Sequence, residues 1–351
     1  VAFGGDQMKN FLIFVAVVFG LLFSLVFFKQ NRENEINQLP VLKIYGSSSF
    51  ISQWGPGPWL KETFEKTCNC RVEFYDGADS TILLQRLKAE SKSQGADLVL
   101  GIDQYDLEMY QTGIEWKELS SDGFEFDPMI KNQISKGNFL PYNWGVMAFV
   151  FRKSQLNNLP RKLDDLLMPE LKEQIALQDP RMSSPGLQFL LWVISVKGED
   201  EGFQFLKKLN SNVHSYSNSW SKSYGLFTKN QTKTAFSYTT SPIYHLVEEK
   251  STDYLAAEFT EGHPVQFEFV GIPGQCRNCD LARKFVELIF SSDGQTVIME
   301  KNYMFPAIRG VRGNSPFAQV PVYKTLENSS IPTLKERERL LKKWTAIRRE
   351  D

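Results

Sequence analysis

The residues with the most chemical content lie between Phe227 and Glu249, FTKNQTKTAFSYTTSPIYHLVEE, with Trp220 a few positions upstream. Lys233 to Tyr238 has the alternation and aromatic content of a strand, and Thr239-Thr240-Ser241-Pro242 breaks it before a helix carrying Tyr244 and Leu246. Trp220, Tyr238 and Tyr244 are thereby expected around one strand-to-helix junction. Their π faces suit a flat, positively charged ring, and the hydroxyls and amides of Thr239, Thr240 and Ser241 can orient its polar edge. That chemistry is binding, not catalysis. The competing reading is that the three aromatics simply fill core.

A second feature is Ser183-Ser184-Pro185-Gly186 ahead of the apolar stretch Leu187 to Val193. Serine at the cap and proline in the first turn mark a helix start, whose free N–H groups and dipole favour an anion; a plain cap is the alternative. Asp79-Ser80 stands in a turn before a helix with Leu83, Leu84 and Leu87, where the carboxylate can meet a cation, cap its own helix, or do both. No Ser-His-Asp set stands out, and His214, His245 and His263 lack metal-ligand spacing, so neither a catalytic residue nor a cofactor is assigned. Four cysteines form two close pairs, Cys68/Cys70 and Cys276/Cys279. An all-cysteine zinc site is disfavoured because Cys-x-Cys is not the usual knuckle spacing. Disulfides within or across the pairs are expected, with three pairings open.

Five segments carry a family resemblance that runs from about Pro40 to the C-terminus: QWGPGPW from Gln53, ADLVLGID from Ala96, LQDPRMSSPGLQFLLW from Leu177, SWSKSYGLF from Ser219 and FSYTTSPIYHLVEE from Phe236. In order and spacing they resemble the periplasmic thiamine-binding proteins of ABC importers. The CNC at Cys68 and the NYMFPA at Asn302 fit the same pattern, whereas Cys276 and Cys279 are outside it. The resemblance implies an α/β, two-lobed type II periplasmic binding protein fold with the ligand cleft between the lobes. It also implies a non-catalytic receptor that takes thiamine, or its mono- or diphosphate, to an ABC permease and its ATPase. By motif position it assigns the ligand site to Trp220, Tyr238, Thr239, Thr240, Ser241 and Tyr244, to the Ser183-Ser184 loop, and to Asp79-Ser80, where relatives have Asp-Gly. Tyr303 stands where the best-known members place tryptophan. Ser47 replaces a stacking tyrosine common in the family, a loss for which Trp54 is a candidate substitute. Two other functions share this fold. A thiaminase-like enzyme would need a free, activated cysteine beside a carboxylate, and a ferric-ion binder would need adjacent tyrosines, whereas Tyr238 and Tyr244 are six apart.

The elements that must hold these residues follow from the apolar pattern. Short apolar strands alternate with amphipathic helices, which argues for α/β lobes with largely parallel sheets. Phe139 to Phe151 is too long for one flat strand, is interrupted by Pro141 and Gly145, and reads as a crossover between lobes; Val265 to Val270 reads as the return. The expected division is 1–39 for a signal or anchor and tether, 41–140 plus 268–305 for one lobe, and 141–267 plus 306–351 for the other. The tail resembles a helix with a Thr333/Glu336 capping box and Leu341, Trp344 and Ile347 inward. With 351 residues the chain exceeds what one core usually serves, and 40 basic against 41 acidic side chains give no reason to expect nucleic acid. Phe11 to Phe28 is an uncharged, apolar run of roughly 27 Å as a helix, expected as an N-terminal hydrophobic helix that exports the chain to the periplasm. A cleaved signal and an inner-membrane anchor both fit it.

Overall fold

The computed structural model describes residues 38–349 apart from 78, 90–94, 157, 322 and 327–330, together with scattered positions of the N-terminal segment. The expected hydrophobic helix over 11–28 falls largely outside the described residues, and among those described no helix is long and apolar enough to cross a membrane. The chain first builds β1 (Val41–Gly46), α1 (Ser48–Ile51), α2 (Gly57–Cys68), β2 (Arg71–Asp76), α3 (Ser80–Ala89), β3 (Leu98–Asp103) and α4 (Leu107–Gln111). β1 pairs in parallel with β2 on one side and β3 on the other. The helices bury the faces expected from sequence: Leu60 and Phe64 on α2, Leu83, Leu84 and Leu87 on α3.

β4 (Phe139–Arg152) is one continuous strand with every residue buried. Its first half, Phe139 to Val146, pairs antiparallel with β9 (Val265–Gly271), and its second half, Met147 to Phe151, pairs antiparallel with β7 (Thr234–Tyr238). Pro141 has no N–H to donate, and the register shifts between Pro141 and Asn143. Beyond β7 come β5 (Ile175–Gln178) and β6 (Val213–Ser217), again parallel. The sheet order is thus β2-β1-β3-β9-β4-β7-β5-β6, two parallel triplets joined by antiparallel crossovers. The helices of the second half are α5 (Ser184–Lys197), α6 (Glu199–Leu209), α7 (Trp220–Thr228) and α8 (Ser241–Glu248), followed by β8 (Tyr254–Ala256), which pairs with β4. α9 (Cys279–Phe290), α10 (Ser292–Asn302) and β10 (Phe305–Pro306) return to the first half, and α11 (Leu334–Arg349) closes the chain.

Two large apolar clusters divide the molecule on β4 itself: Tyr142, Trp144 and Val146 belong to the first, Met147, Phe149 and Phe151 to the second. We therefore place the lobe boundary between Val146 and Met147, several residues beyond the 140/141 expected from sequence. The chain after β10 also departs from expectation. Ala307 and Phe317 pack in the first cluster, held there by the pairing of Pro306 with Asn143 and by the Arg312–Asp127 ion pair of 2.7 Å. α11 joins the second cluster through Leu340 and Trp344, as does Leu326 before it, and the Thr333/Glu336 capping box forms as expected. From α11, Arg337 reaches back into the first lobe, pairing with Asp106 and donating to Thr81 Oγ1 at 3.1 Å. Each cysteine pair closes on itself, Cys68 with Cys70 and Cys276 with Cys279, which decides among the three pairings.

Candidate functional site

Where β4 passes from one sheet to the other, strand ends and helix starts of both lobes converge on a cavity of about 40 Å³. The first lobe contributes Ser47 and Ser49 after β1, Asp79 and Ser80 at the start of α3, Gly101 on β3, Gln266 and Glu268 on β9, and Asn302. The second contributes Ser184 and Pro185 at the start of α5, Trp220 at the start of α7, and Tyr238 at the end of β7, with Met304 completing the wall. Two glycines make this convergence feasible. A Cβ on Gly145 would lie 2.8 Å from the Tyr238 ring, and Gly101 takes φ +88° with Ser47 packed against it. A space of this size holds about three waters.

The electrostatics of the cavity are one-sided. Among the described residues its lining includes the carboxylates of Asp79 and Glu268 and no Lys, Arg or His. Glu268 is buried and accepts hydrogen bonds from Tyr142 Oη (3.0 Å) and Asn143 Nδ2 (2.7 Å). Burial still pushes its pKa up, because those neutral donors offset only part of the desolvation. Asp79 is pushed up to about 7, mainly by burial, with Glu268 and Asp106 adding to the rise; the Ser183 hydroxyl and the Trp220 backbone N–H oppose it. Ser183 Oγ donates to Asp79 Oδ2 at 2.5 Å across the cleft. The Asp79 carboxylate of one lobe thus faces the starts of α5 and α7 in the other, where an anion would otherwise sit. Just behind, buried Asp103 is also raised to about 7 by burial and by Asp106.

Asp79, Ser80, Ser184, Trp220 and Tyr238, all singled out from sequence, line this one cavity. Ser183 sits at the cap position of α5, but its hydroxyl turns to Asp79 and makes no cap bond to its own helix. The remaining expected residues stand behind or beside the cavity. Thr239 and Thr240 are buried, with Thr240 Oγ1 donating to Tyr303 O at 2.5 Å. Ser241 Oγ accepts from Tyr238 N and lies 2.7 Å from Ser237 Oγ. Tyr244 and Tyr303 pack edge to face at 5.3 Å, with the Tyr303 hydroxyl on Glu248, outside the lining residues. Ser47 lines the cavity, whereas Trp54 is 70% exposed and does not take the place of a stacking ring there. Gln266, Glu268 and Asn302 were missed. A signal existed for two of them, since Gln266 and Glu268 alternate with Phe267 and Phe269 in a strand otherwise read as apolar.

The sequence profile of the bacterial extracellular solute-binding proteins matches residues 115–328. The thiamine-binding periplasmic protein of Salmonella typhimurium is 38% identical over 268 residues, covering 76% of this chain and 81% of the relative. The chain belongs to this solute-binding family. Its similarity to the thiamine-binding periplasmic protein of Brucella suis is of the same order, 39% over 272 residues, 76% of this chain and 79% of that one. A solved structure of a periplasmic thiamin binding protein superposes on this solute-binding protein with a TM-score of 0.79 at 34% identity, covering 88% of this chain and 96% of that one. The two-lobed type II fold implied by the sequence segments is therefore shared by its relatives as well as present in its own sheet order.

Proposed function

We propose that this solute-binding protein captures thiamine in the periplasm and hands it to an ABC permease and its ATPase. The observation that carries the reading is the cavity lining: two carboxylates, Asp79 and Glu268, together with the rings of Trp220 and Tyr238 and, among the described residues, no basic side chain. A permanently cationic thiazolium satisfies such a site twice, by its charge against the carboxylates and by its face against the rings, where a desolvated cation–π contact contributes up to about 2 kcal/mol. The names of the relatives agree with that ligand. The N-terminal apolar run would serve as export signal or inner-membrane anchor. Thiamine monophosphate or diphosphate would bring an anion to the start of α5, a place now facing Asp79, so the unphosphorylated vitamin is the favoured form.

Calorimetric titration with thiamine tests the reading, with Trp220→Ala expected to weaken binding about tenfold or more. Wild-type affinity in that variant would sink it. The thiaminase-like alternative finds no support in the sulfur chemistry, since all four cysteines are in disulfides. Incubation with thiamine and aniline is expected to return the vitamin unchanged.

A further inference from the structure

Trp220 is the largest ring on the cavity wall, and side chains that do not line the cavity hold it in place. Its ring stacks at 5.0 Å and 13° on Tyr224, one turn further along α7. The Tyr224 hydroxyl lies 2.9 Å from His245 Nε2 on α8, and His245 Nδ1 lies 2.8 Å from Glu249 Oε2. With the carboxylate accepting from Nδ1–H, Nε2 is left to accept from the tyrosine hydroxyl, so each bond has a defined donor. The buried imidazole also lies flat on Tyr254 of β8, 3.4 Å away and 5° from parallel, so it has no freedom to turn. The edge of Trp220 is fixed separately: Nε1–H donates to Ser237 Oγ at 2.9 Å, and Ser237 is bonded to Ser241. The Ser241 hydroxyl in turn moderates the pKa of Tyr224, which burial raises.

A Phe and a Leu in place of Tyr224 and His245 would fill the same volume without desolvating a phenol and an imidazole. A buried polar chain in which every member is paired returns that cost as a single fixed geometry. We infer that Tyr224 and His245 are positioning residues that set the plane of Trp220 for the ligand, with Glu249 selecting the histidine tautomer. This inference rests on the reading of Trp220 as a ligand-contacting wall.

The test is a coupling experiment, titrating thiamine into Tyr224→Phe, His245→Leu and His245→Gln, with Tyr224→Phe repeated in a Trp220→Phe background. Tyr224→Phe keeps the ring and loses only the hydroxyl. It and His245→Leu are expected to weaken binding about fivefold, while His245→Gln, whose amide oxygen replaces the Nε2 acceptor, stays within about twofold of wild type. In the Trp220→Phe background the Tyr224→Phe effect should fall below about twofold, because the residue acts through the indole. Should His245→Leu fail to fold, Tyr224→Phe carries the test. Wild-type affinity in Tyr224→Phe, or an undiminished effect in the Trp220→Phe background, overturns the inference. If Trp220→Phe and Trp220→Ala both bind as wild type, the ligand wall is misassigned, and the positioning role falls with it.

Discussion

Thiamine affinity should rise with pH between about 6 and 8, and Asp79 is the reason. In this cleft the carboxyl is pushed up to about 7 by burial and by neighbouring acids, far above the ordinary aspartate range. Closing the empty cleft therefore takes up a proton: the closed form is favoured below the ordinary aspartate pKa, and that contribution is lost as pH rises through about 7. A cationic ligand reverses the preference, since it needs Asp79 as the carboxylate. Where the ligand-free protein rests in this geometry, at pH 6 a group titrating near 7 is about nine-tenths protonated and must be deprotonated on binding, whereas at pH 8 it is about nine-tenths charged already. The difference is about tenfold in affinity, or roughly 1.4 kcal/mol. The assay is calorimetry at both pH values, in buffers of different ionisation enthalpy, so that proton release is counted directly. Close to one proton should leave per thiamine bound at the lower pH, and Asp79→Asn should bind more weakly and release fewer protons, the remainder coming from Glu268 and Asp103. Equal wild-type affinity at the two pH values, with no proton released, would refute the assignment of Asp79 as the cation's partner.

Glu268→Gln, which keeps the shape and the Tyr142 and Asn143 contacts, is expected to weaken thiamine binding about tenfold, read by the same titration. Thiamine monophosphate should bind at least about tenfold more weakly than thiamine at pH 8, and competition titration should show the gap narrowing in Asp79→Asn. Arg337→Met removes one partner of a buried inter-lobe ion pair and should cost about 3 kcal/mol in denaturant unfolding; adding Asp106→Leu should recover most of it. Ser47→Tyr adds a ring beside a cavity of about 40 Å³ that Trp220 and Tyr238 already line, so it should weaken binding by overpacking. A tighter thiamine titration for this variant would show that the cleft has room for the family's third ring.

Much of this architecture was legible in the linear chain because it depends on local pattern. The strand at Lys233 to Tyr238, the break at Thr239 to Pro242, the apolar faces of α2 and α3 and the Thr333/Glu336 cap all follow from spacing within one element, and the structure places them where expected. Helix starts were readable for the same reason at Asp79-Ser80 and Ser183-Ser184, whereas Trp220 was singled out by its ring and by motif position. Tertiary structure decided which side of each start faces the cleft. Ser183 looks like a cap in one dimension, yet its hydroxyl crosses to a carboxylate more than a hundred residues earlier, a partner that no local rule supplies. Tyr244 and Tyr303 carry the right rings, but they face each other outside the cavity lining. Glu268 passed for part of a buried strand because its partners, Tyr142 and Asn143, lie on the other crossover and meet it only when β4 and β9 pair. The acidity of the cleft is decided at that level too. The whole chain is nearly neutral, and only the fold gathers Asp79, Glu268, Asp103 and Asp106 on one side of the interface while leaving the described basic residues out of the cavity lining. Local periodicity sets elements because neighbours in sequence share one backbone geometry, whereas the field inside a cleft is a sum over residues that become neighbours only after folding.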